Sequence, residues 1–275
     1  MSKYGFPYLG GKARHADEIL AVIPAAKNFY DLFAGGCAIT HAALVSDKWK
    51  NIHANDLQNT PQLFLDAVAG KYKNERRWIS REEFHAKKAW DPYVRWLWSF
   101  GNNGDGYLFG RDVEPVKKAA HEYLMANGYD GTTAKRKELI YQFKADGKII
   151  KRFDLQQLER LEQLQQLQQL QQLERLSVSA LDYSKIRIKK DSVVYCDPPY
   201  PHKDGQKEKY YGIDFDSEAF YSWVRTRPFP VYFSSSVAPR DFTVIWEKET
   251  TGLMNNKYSA GKKAVVERLF WNGVK

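Results

Sequence analysis

Short apolar segments alternate with amphipathic segments towards both ends of the chain, and glycine, aspartate or proline follows several of the apolar ones. Apolar runs of this length are typical of buried strands, and the amphipathic segments between them are typical of helices. Strands are predicted at residues 28–33, 51–55, 177–180, 193–196, 231–235 and 265–271, and helices at 14–23, 37–46 and around Phe220 and Trp223. This alternation predicts an α/β fold with a doubly wound sheet.

The middle of the chain breaks this pattern. Over residues 71–150 tryptophans stand among charged residues, and glycines interrupt the helical periodicity. The tryptophans are Trp78, Trp90, Trp96 and Trp98. We therefore predict an inserted, mainly helical domain over residues 63–150.

A repeat of leucines follows the insert, in a background of Gln, Glu and Arg. It consists of Leu155, Leu158, Leu161, Leu164, Leu167, Leu170, Leu173 and Leu176. On an α-helix a step of three residues turns about 300°, so these leucines wind around the axis and form no single apolar face. We predict a helical spacer or dimer element over residues 151–176, with partial disorder as the alternative.

Composition narrows the class of protein. The chain has 275 residues, 43% of them hydrophobic, and a formal charge of +9 with a pI near 9.3. The positive charge favours a polyanionic partner such as nucleic acid. Cys37 and Cys196 are the only cysteines, so a disulfide framework is not expected. With no apolar stretch of 18 residues and no recognisable signal peptide, we expect a soluble, cytoplasmic protein.

The tetrapeptide Asp197-Pro198-Pro199-Tyr200 directly follows the predicted strand 193–196. Proline has a fixed φ and no N–H, so both prolines leave the hydrogen-bonded ladder. The Asp197 carboxylate and the Tyr200 ring are thereby placed at the carboxyl end of a strand, where open α/β sheets bind their ligands. A strand followed by a plain proline turn is the structural alternative.

The first predicted strand ends in a glycine turn, Asp31-Leu32-Phe33-Ala34-Gly35-Gly36. This is neither the dinucleotide fingerprint nor a phosphate-binding P-loop, which disfavours NAD and ATP as ligands. Gly35 and Gly36 allow the backbone to approach a ligand closely, and the following helix N-terminus can face an anion. About twenty residues later, Asp56 could bind ribose hydroxyls or could cap the next helix, and both readings stay open.

These segments, with the glycine-rich loop over residues 4–12, resemble the motifs of Dam-type DNA adenine-N6 methyltransferases of the D12 class, alpha group, from bacteria or phages. The loop alone could be a tight turn with a solvated lysine. The resemblance implies a Rossmann-like core formed by residues 1–62 and 177–275 and an inserted target-recognition domain. It also implies S-adenosylmethionine as the cofactor, with no metal.

The resemblance also suggests roles for individual residues. The catalytic residues would be Asp197, Pro198, Pro199 and Tyr200. The cofactor-binding residues would be Tyr8, Gly10, Gly11, Lys12, Asp31, Phe33, Gly35, Gly36, Asp56, Asp182, Tyr183 and Asp197.

The implied partner is double-stranded DNA, bound by a monomer or weak homodimer associated with the nucleoid. Four glycines within residues 99–111 favour a loop that presents side chains to bases, although an ordinary glycine-rich connection fits too. The predicted base-reading residues are Asn102, Asn103, Tyr107 and Arg111. Lys262 and Lys263 lie in a basic tail suited to phosphate contacts.

Other activities remain open at this point. A cytosine-N4 methyltransferase would use the same geometry, but that branch usually begins its tetrapeptide with Ser. Protein glutamine methylation usually begins it with Asn. A non-catalytic DNA-binding protein would leave Gly35, Gly36, Asp56 and Asp197 without a common purpose.

Overall fold

The structure is a computed structural model that describes residues 3–8, 10–145, 148–149, 155–170, 173–200, 209–210, 213–251 and 264–275. A seven-stranded sheet organises the fold. Its strands are β1 (Ala26–Asp31), β2 (Trp49–Asn55), β3 (Leu176–Ser179), β4 (Ser192–Cys196), β5 (Val231–Ser235), β6 (Thr243–Thr251) and β7 (Ala264–Trp271). Two-residue ladders pair Lys144–Ala145 with Lys148–Ile149 and Lys209–Tyr210 with Ile213–Asp214.

The strand order across the sheet is β3-β2-β1-β4-β5-β7-β6. Strands β1 to β5 run parallel, and β7 is antiparallel to both β5 and β6. The chain moves outwards from β1 in one direction and then returns to start again at β4. The carboxyl ends of β1 and β4 therefore form a topological switch point, where α/β sheets bind ligands.

The described helices surround this sheet and form most of the insert. They are α1 (Ala16–Val22), α2 (Ala38–Val45), α3 (Thr60–Val68), α4 (Arg81–Lys87), α5 (Pro92–Leu97), α6 (Glu114–Ala126), α7 (Thr133–Gln142), α8 (Gln156–Gln166) and α9 (Ser217–Arg225). Helix α3 spans the boundary that the sequence predicted between residues 62 and 63. It contacts β3, α8 and, within the insert, α5, so it joins the sheet to the insert.

Both faces of the central strands are buried, in two separate apolar cores. Val193 and Tyr195 belong to the core that includes α1 and α2, whereas Val194 and Cys196 belong to the core formed with α9. Because successive side chains of a strand point to opposite faces, a strand covered on both sides reads as a continuous apolar run. The apolar run before Asp197 is therefore explained by its central position.

The prediction for the leucine repeat is corrected by the structure. Residues 156–166 form α8, residues 167–169 and 173–175 form 3₁₀ turns, and Leu176 begins β3. The leucines from Leu155 to Leu167 wind around the helix as expected, but all five are buried in the core.

The polar residues between these leucines explain how a helix with no single apolar face is buried. Arg160 donates to the carbonyls of Leu97 and Ser99, and Glu162 pairs with Arg136. Neighbouring elements cover α8 on all but one side, where Gln156, Glu159, Gln163 and Gln166 are exposed or half-buried, so it is a helix of the core rather than an exposed spacer or dimer element.

Candidate active site

A cavity of about 430 Å³ lies at the switch point, a volume within the range of small-molecule sites. All twelve residues predicted to bind the cofactor contribute to its lining. Of the four residues of the tetrapeptide, Asp197 and Pro199 line the cavity, whereas Pro198 and Tyr200 do not. The sequence motifs, which are up to 189 residues apart, are therefore brought together at one place.

The glycine turn after β1 needs glycine for both conformation and space. Gly35 has a φ of 47°, and a Cβ atom on it would lie 2.9 Å from the ring of Tyr8. A Cβ atom on Gly36 would lie 2.5 Å from the carbonyl oxygen of Phe6. The first loop thus packs directly on the turn, and the Phe6 N–H donates to the Gly36 carbonyl at 2.9 Å. Together they form one wall of the cavity.

The Asp56 carboxylate stabilises this turn. One oxygen accepts the N–H of Gly35 at 2.9 Å, and the other accepts the N–H of Gln58 at 2.8 Å. Burial raises the pKa of Asp56, although the two backbone hydrogen bonds oppose that shift. The N-cap position of helix α3 is occupied by Asn59, so Asp56 is not the N-cap of that helix. The Asn59 side chain makes no capping hydrogen bond. Each oxygen retains a lone pair for a further donor.

Asp31 lies at the carboxyl end of β1 and is almost completely buried. One carboxylate oxygen accepts the Thr40 hydroxyl at 2.7 Å, and the other has no hydrogen-bond partner in the described structure. Burial raises the pKa of Asp31 to about 7, and the charges of Asp197 and Asp56 act in the same direction. The cavity therefore contains several acidic groups close together.

Aromatic side chains form another part of the cavity lining. The rings of Phe33 and Tyr183 are 5.2 Å apart at 34°, and Phe215 meets Phe33 edge-on at 5.8 Å. Asp182 accepts the N–H of Ser184 at 2.9 Å and so caps the short 3₁₀ turn that holds Tyr183. The sequence did not indicate Phe215, which is 32 residues from Tyr183 in the chain. Such a wall suits a flat, apolar ring.

Asp197 leaves β4 next to a buried lysine. The Nζ of Lys12 lies 2.8 Å from Oδ2 of Asp197 and 3.1 Å from Oε1 of Glu267, and it donates to the Gly10 carbonyl at 3.2 Å. Burial raises the pKa of Asp197 to about 6, against the lowering effect of Lys12. Burial opposes the charge on Lys12, but Asp197 and Glu267 outweigh it and raise the pKa of the lysine. The Oδ1 atom of Asp197 has no hydrogen-bond partner in the described part of the chain.

Sequence reasoning missed Glu267. This residue lies on β7 and is 9% exposed, and its Oε1 accepts the Tyr200 hydroxyl at 2.7 Å. A detectable signal existed, because Glu267 shares the strand face of the fully buried Leu269. A charged residue in the inward register of an apolar strand requires a partner, and here the partners are Lys12 and Tyr200.

Comparison with known proteins decides the class of this site. The family model described as D12 class N6 adenine-specific DNA methyltransferase matches residues 8–225. The chain belongs to this family. It is therefore an enzyme that methylates N6 of adenine in DNA, which overturns the non-catalytic alternative and does not favour cytosine-N4. The curated proteins contain no match to the chain.

The segment of the methyltransferase predicted to read bases adjoins the cavity. The Asn102 side chain donates to the Pro7 carbonyl at 2.7 Å, and the rings of Tyr8 and Trp96 are 4.9 Å apart. Ser99 and Tyr107 form an isolated antiparallel bridge that closes the segment. Phe100, within it, is 67% exposed and was not among the predicted base-reading residues.

The predicted DNA-binding residues differ in their placement. Arg111 is exposed, and Asn103 accepts the N–H of Asp105 at 3.0 Å. Tyr107 does not fit the prediction, because its ring is 6% exposed and its hydroxyl donates to the buried Ile79 carbonyl at 2.7 Å. We correct it to a core residue that holds the segment in place. Lys262 and Lys263 lie outside the described residues.

Two further features of the methyltransferase concern metals and membranes. Over the described ranges, no group of three or more His, Cys, Asp or Glu residues is arranged to hold a metal ion. No helix in the same ranges is long and apolar enough to span a membrane.

Proposed function

We propose that S-adenosylmethionine is the methyl donor and occupies the cavity at the switch point, beside an adenine that has left the DNA duplex. The residues present fit this cofactor. Gly35 and Gly36 leave backbone exposed to a ligand, Asp56 has acceptor capacity for ribose hydroxyls, and Phe33 and Tyr183 offer a surface for an adenine ring. When bound, the cofactor supplies a sulfonium methyl group open to nucleophilic attack.

The task of the protein is to make a poor nucleophile react. The lone pair of the N6 amine is delocalised into the adenine ring, so the amine needs acceptors that draw on its protons. Asp197 Oδ1 lacks a partner within the described structure and belongs to a residue that lines the cavity, which supports its role as one acceptor. The Pro198 carbonyl would be the second. Holding the amine in one orientation then contributes much of the rate acceleration.

The target base must leave the helix, because N6 inside a stacked duplex cannot reach a buried carboxylate. Tyr200 follows Asp197 and the two prolines, and its hydroxyl is fixed by Glu267. We assign to its ring the stacking on the extruded adenine, since base–aromatic stacking contributes about 1–3 kcal/mol.

The division into a core, formed by residues 1–62 and 177–275, and a recognition insert over residues 63–150 is part of the same proposal.

The observation that carries the proposal is the assembly of the twelve predicted cofactor residues around one cavity that also contains Asp197. Transfer of label from methyl-labelled S-adenosylmethionine to duplex DNA, followed by base analysis, tests it. We expect label in N6-methyladenine alone. Label in N4-methylcytosine, or none in DNA at all, would contradict the proposal.

A further inference from the structure

We propose that Glu267 is a positioning residue for methyl transfer, which holds both Lys12 and Tyr200 so that Asp197 keeps one oxygen for the target amine. This inference rests on the proposed function of Asp197. Glu267 lies on β7, beyond residues 8–225 that match the family, and 70 residues after Asp197. Its role follows from its contacts.

One oxygen of Glu267 joins two parts of the site. Oε1 accepts the Tyr200 hydroxyl at 2.7 Å and lies 3.1 Å from the Nζ of Lys12. The ammonium group in turn lies 5.0 Å from the centre of the Tyr200 ring, within the range of a cation–π contact. The three groups therefore restrain one another, and the ring that we assign to base stacking is fixed at its hydroxyl end.

Glu267 also determines which oxygen of Asp197 remains available. The three N–H donors of the Lys12 ammonium have three acceptors, namely Asp197 Oδ2, Glu267 Oε1 and the Gly10 carbonyl. With its direction fixed in this way, the lysine occupies Oδ2 and leaves Oδ1 for the substrate. Without Glu267 the ammonium would be free to turn, and Oδ1 would be a second place for it to bind.

The same arrangement has an electrostatic consequence. Asp197 and Glu267 contact one nitrogen, so two carboxylates share a single positive charge, and Glu267 raises the pKa of Asp197. The other ionisable groups that act on Asp197 are Lys12 and Tyr200, with Asp31, Tyr195 and Cys196 also close enough to interact. His15 interacts with both Lys12 and Glu267. With a neutral residue at position 267, the Lys12 ammonium would form an ion pair with Asp197 only. The carboxylate would then stay ionised to lower pH.

Two substitutions separate these effects. E267A removes both bonds, and we expect the single-turnover rate of methyl transfer to fall about 10- to 100-fold, with cofactor affinity within about threefold of wild type. E267Q keeps an oxygen that can accept from Tyr200 and Lys12. It should therefore restore the alkaline rate to within about threefold, while the acid limb of its pH profile moves about 0.5–1 pH unit lower.

E247Q is the matched control, because Glu247 is exposed on the neighbouring strand β6 and pairs with Arg268, whose side chain lies on the opposite face of β7 from Glu267. Its rate and pH profile should equal those of wild type. An E267A rate within twofold of wild type, or an E267Q acid limb that does not move, would overturn the inference. If E267A does not fold, the pH profile of E267Q alone tests the inference.

A titration that does not depend on turnover distinguishes failure of this inference from failure of the proposed function. The pKa of Asp197 can be followed by NMR of its ¹³C-labelled carboxyl group, in wild type and in E267Q, without turnover. An inactive wild-type enzyme would contradict the proposed function, whereas the titration would still show whether Glu267 acts on Asp197. A lower pKa in E267Q supports the role, and an unchanged pKa rejects it.

Discussion

At the scale of single residues, the site is defined by which acceptors are already used. Both Asp56 oxygens accept backbone N–H groups, and one oxygen each of Asp31 and Asp197 is engaged. Only a residue with acceptor capacity left can bind a hydroxyl or an amine of a substrate. Asp56 therefore supports the glycine turn and, under the proposed function, would also accept hydrogen bonds from the ribose hydroxyls.

This double function gives a prediction for Asp56→Ala. The variant should lose about 1.5–3 kcal/mol of cofactor affinity, because it loses charge-assisted hydrogen bonds to the ligand and the bond that fixes Gly35. Calorimetric titration with S-adenosylmethionine measures the effect. Asp241→Ala, which removes an exposed partner of Arg225 away from the cavity, is the control and should bind normally. Unchanged affinity in Asp56→Ala would restrict its role to the turn.

At the scale of elements, the spacing of the leucines in the repeat does not determine how deeply they are buried. The period of three was sufficient to predict a helix whose leucines wind around the axis, but not that neighbouring elements would bury the leucines from Leu155 to Leu167. Strand β6 was missed because its charged residues Glu247, Lys248 and Glu249 are exposed at the edge of the sheet. Charges there protect an edge strand from pairing with other chains, and they also hide the apolar pattern.

Burial of α8 leads to a stability prediction. Leu161→Ala should lower the free energy of unfolding by about 2–5 kcal/mol, because it opens a cavity in the core. Leu181→Ala, at a leucine that is 49% exposed, should cost less than about 0.5 kcal/mol. Denaturant unfolding of both variants measures the difference. Equal losses would mean that the repeat is not part of the core.

The segment around Phe100 gives a second prediction at this scale. Arg111→Ala should relax the recognised sequence by about 1–3 kcal/mol for a lost base contact. Tyr107→Phe should leave the methylated sequence intact and cost about 1–3 kcal/mol of stability, because the Ile79 carbonyl loses its buried donor. Mapping methylated adenines after expression in a methylation-free host provides the test. A changed sequence in Tyr107→Phe alone would restore it as a base-reading residue.

At the scale of the whole molecule, strand order explains why distant motifs meet. At the switch point between β1 and β4, Asp31 pairs with Tyr195, which is two residues before Asp197 of the tetrapeptide. Strands and glycine turns were predictable because each depends on local sequence. The pairing of Lys12 with Glu267 was not, because nothing local relates residues 255 positions apart. Burial of Tyr107 was likewise a tertiary property.

The insert and the cavity also form a continuous structure. Trp96 packs on Tyr8, and Asn102 binds the Pro7 carbonyl, so the segment with the exposed Phe100 is attached to the loop that lines the cofactor cavity. The formal charge of +9 over the whole chain suits a polyanionic partner such as DNA. DNA held by the insert would thus present its target base close to Asp197.

The most direct test of the account is single-turnover methyl transfer by Asp197→Ala, with S-adenosylmethionine binding measured in parallel. We expect transfer to be abolished and cofactor affinity to stay within about tenfold of wild type, because the carboxylate acts on the target amine. Asp241→Ala should retain both properties. If Asp197→Ala kept more than a tenth of the wild-type rate, the role assigned to this carboxylate would be wrong.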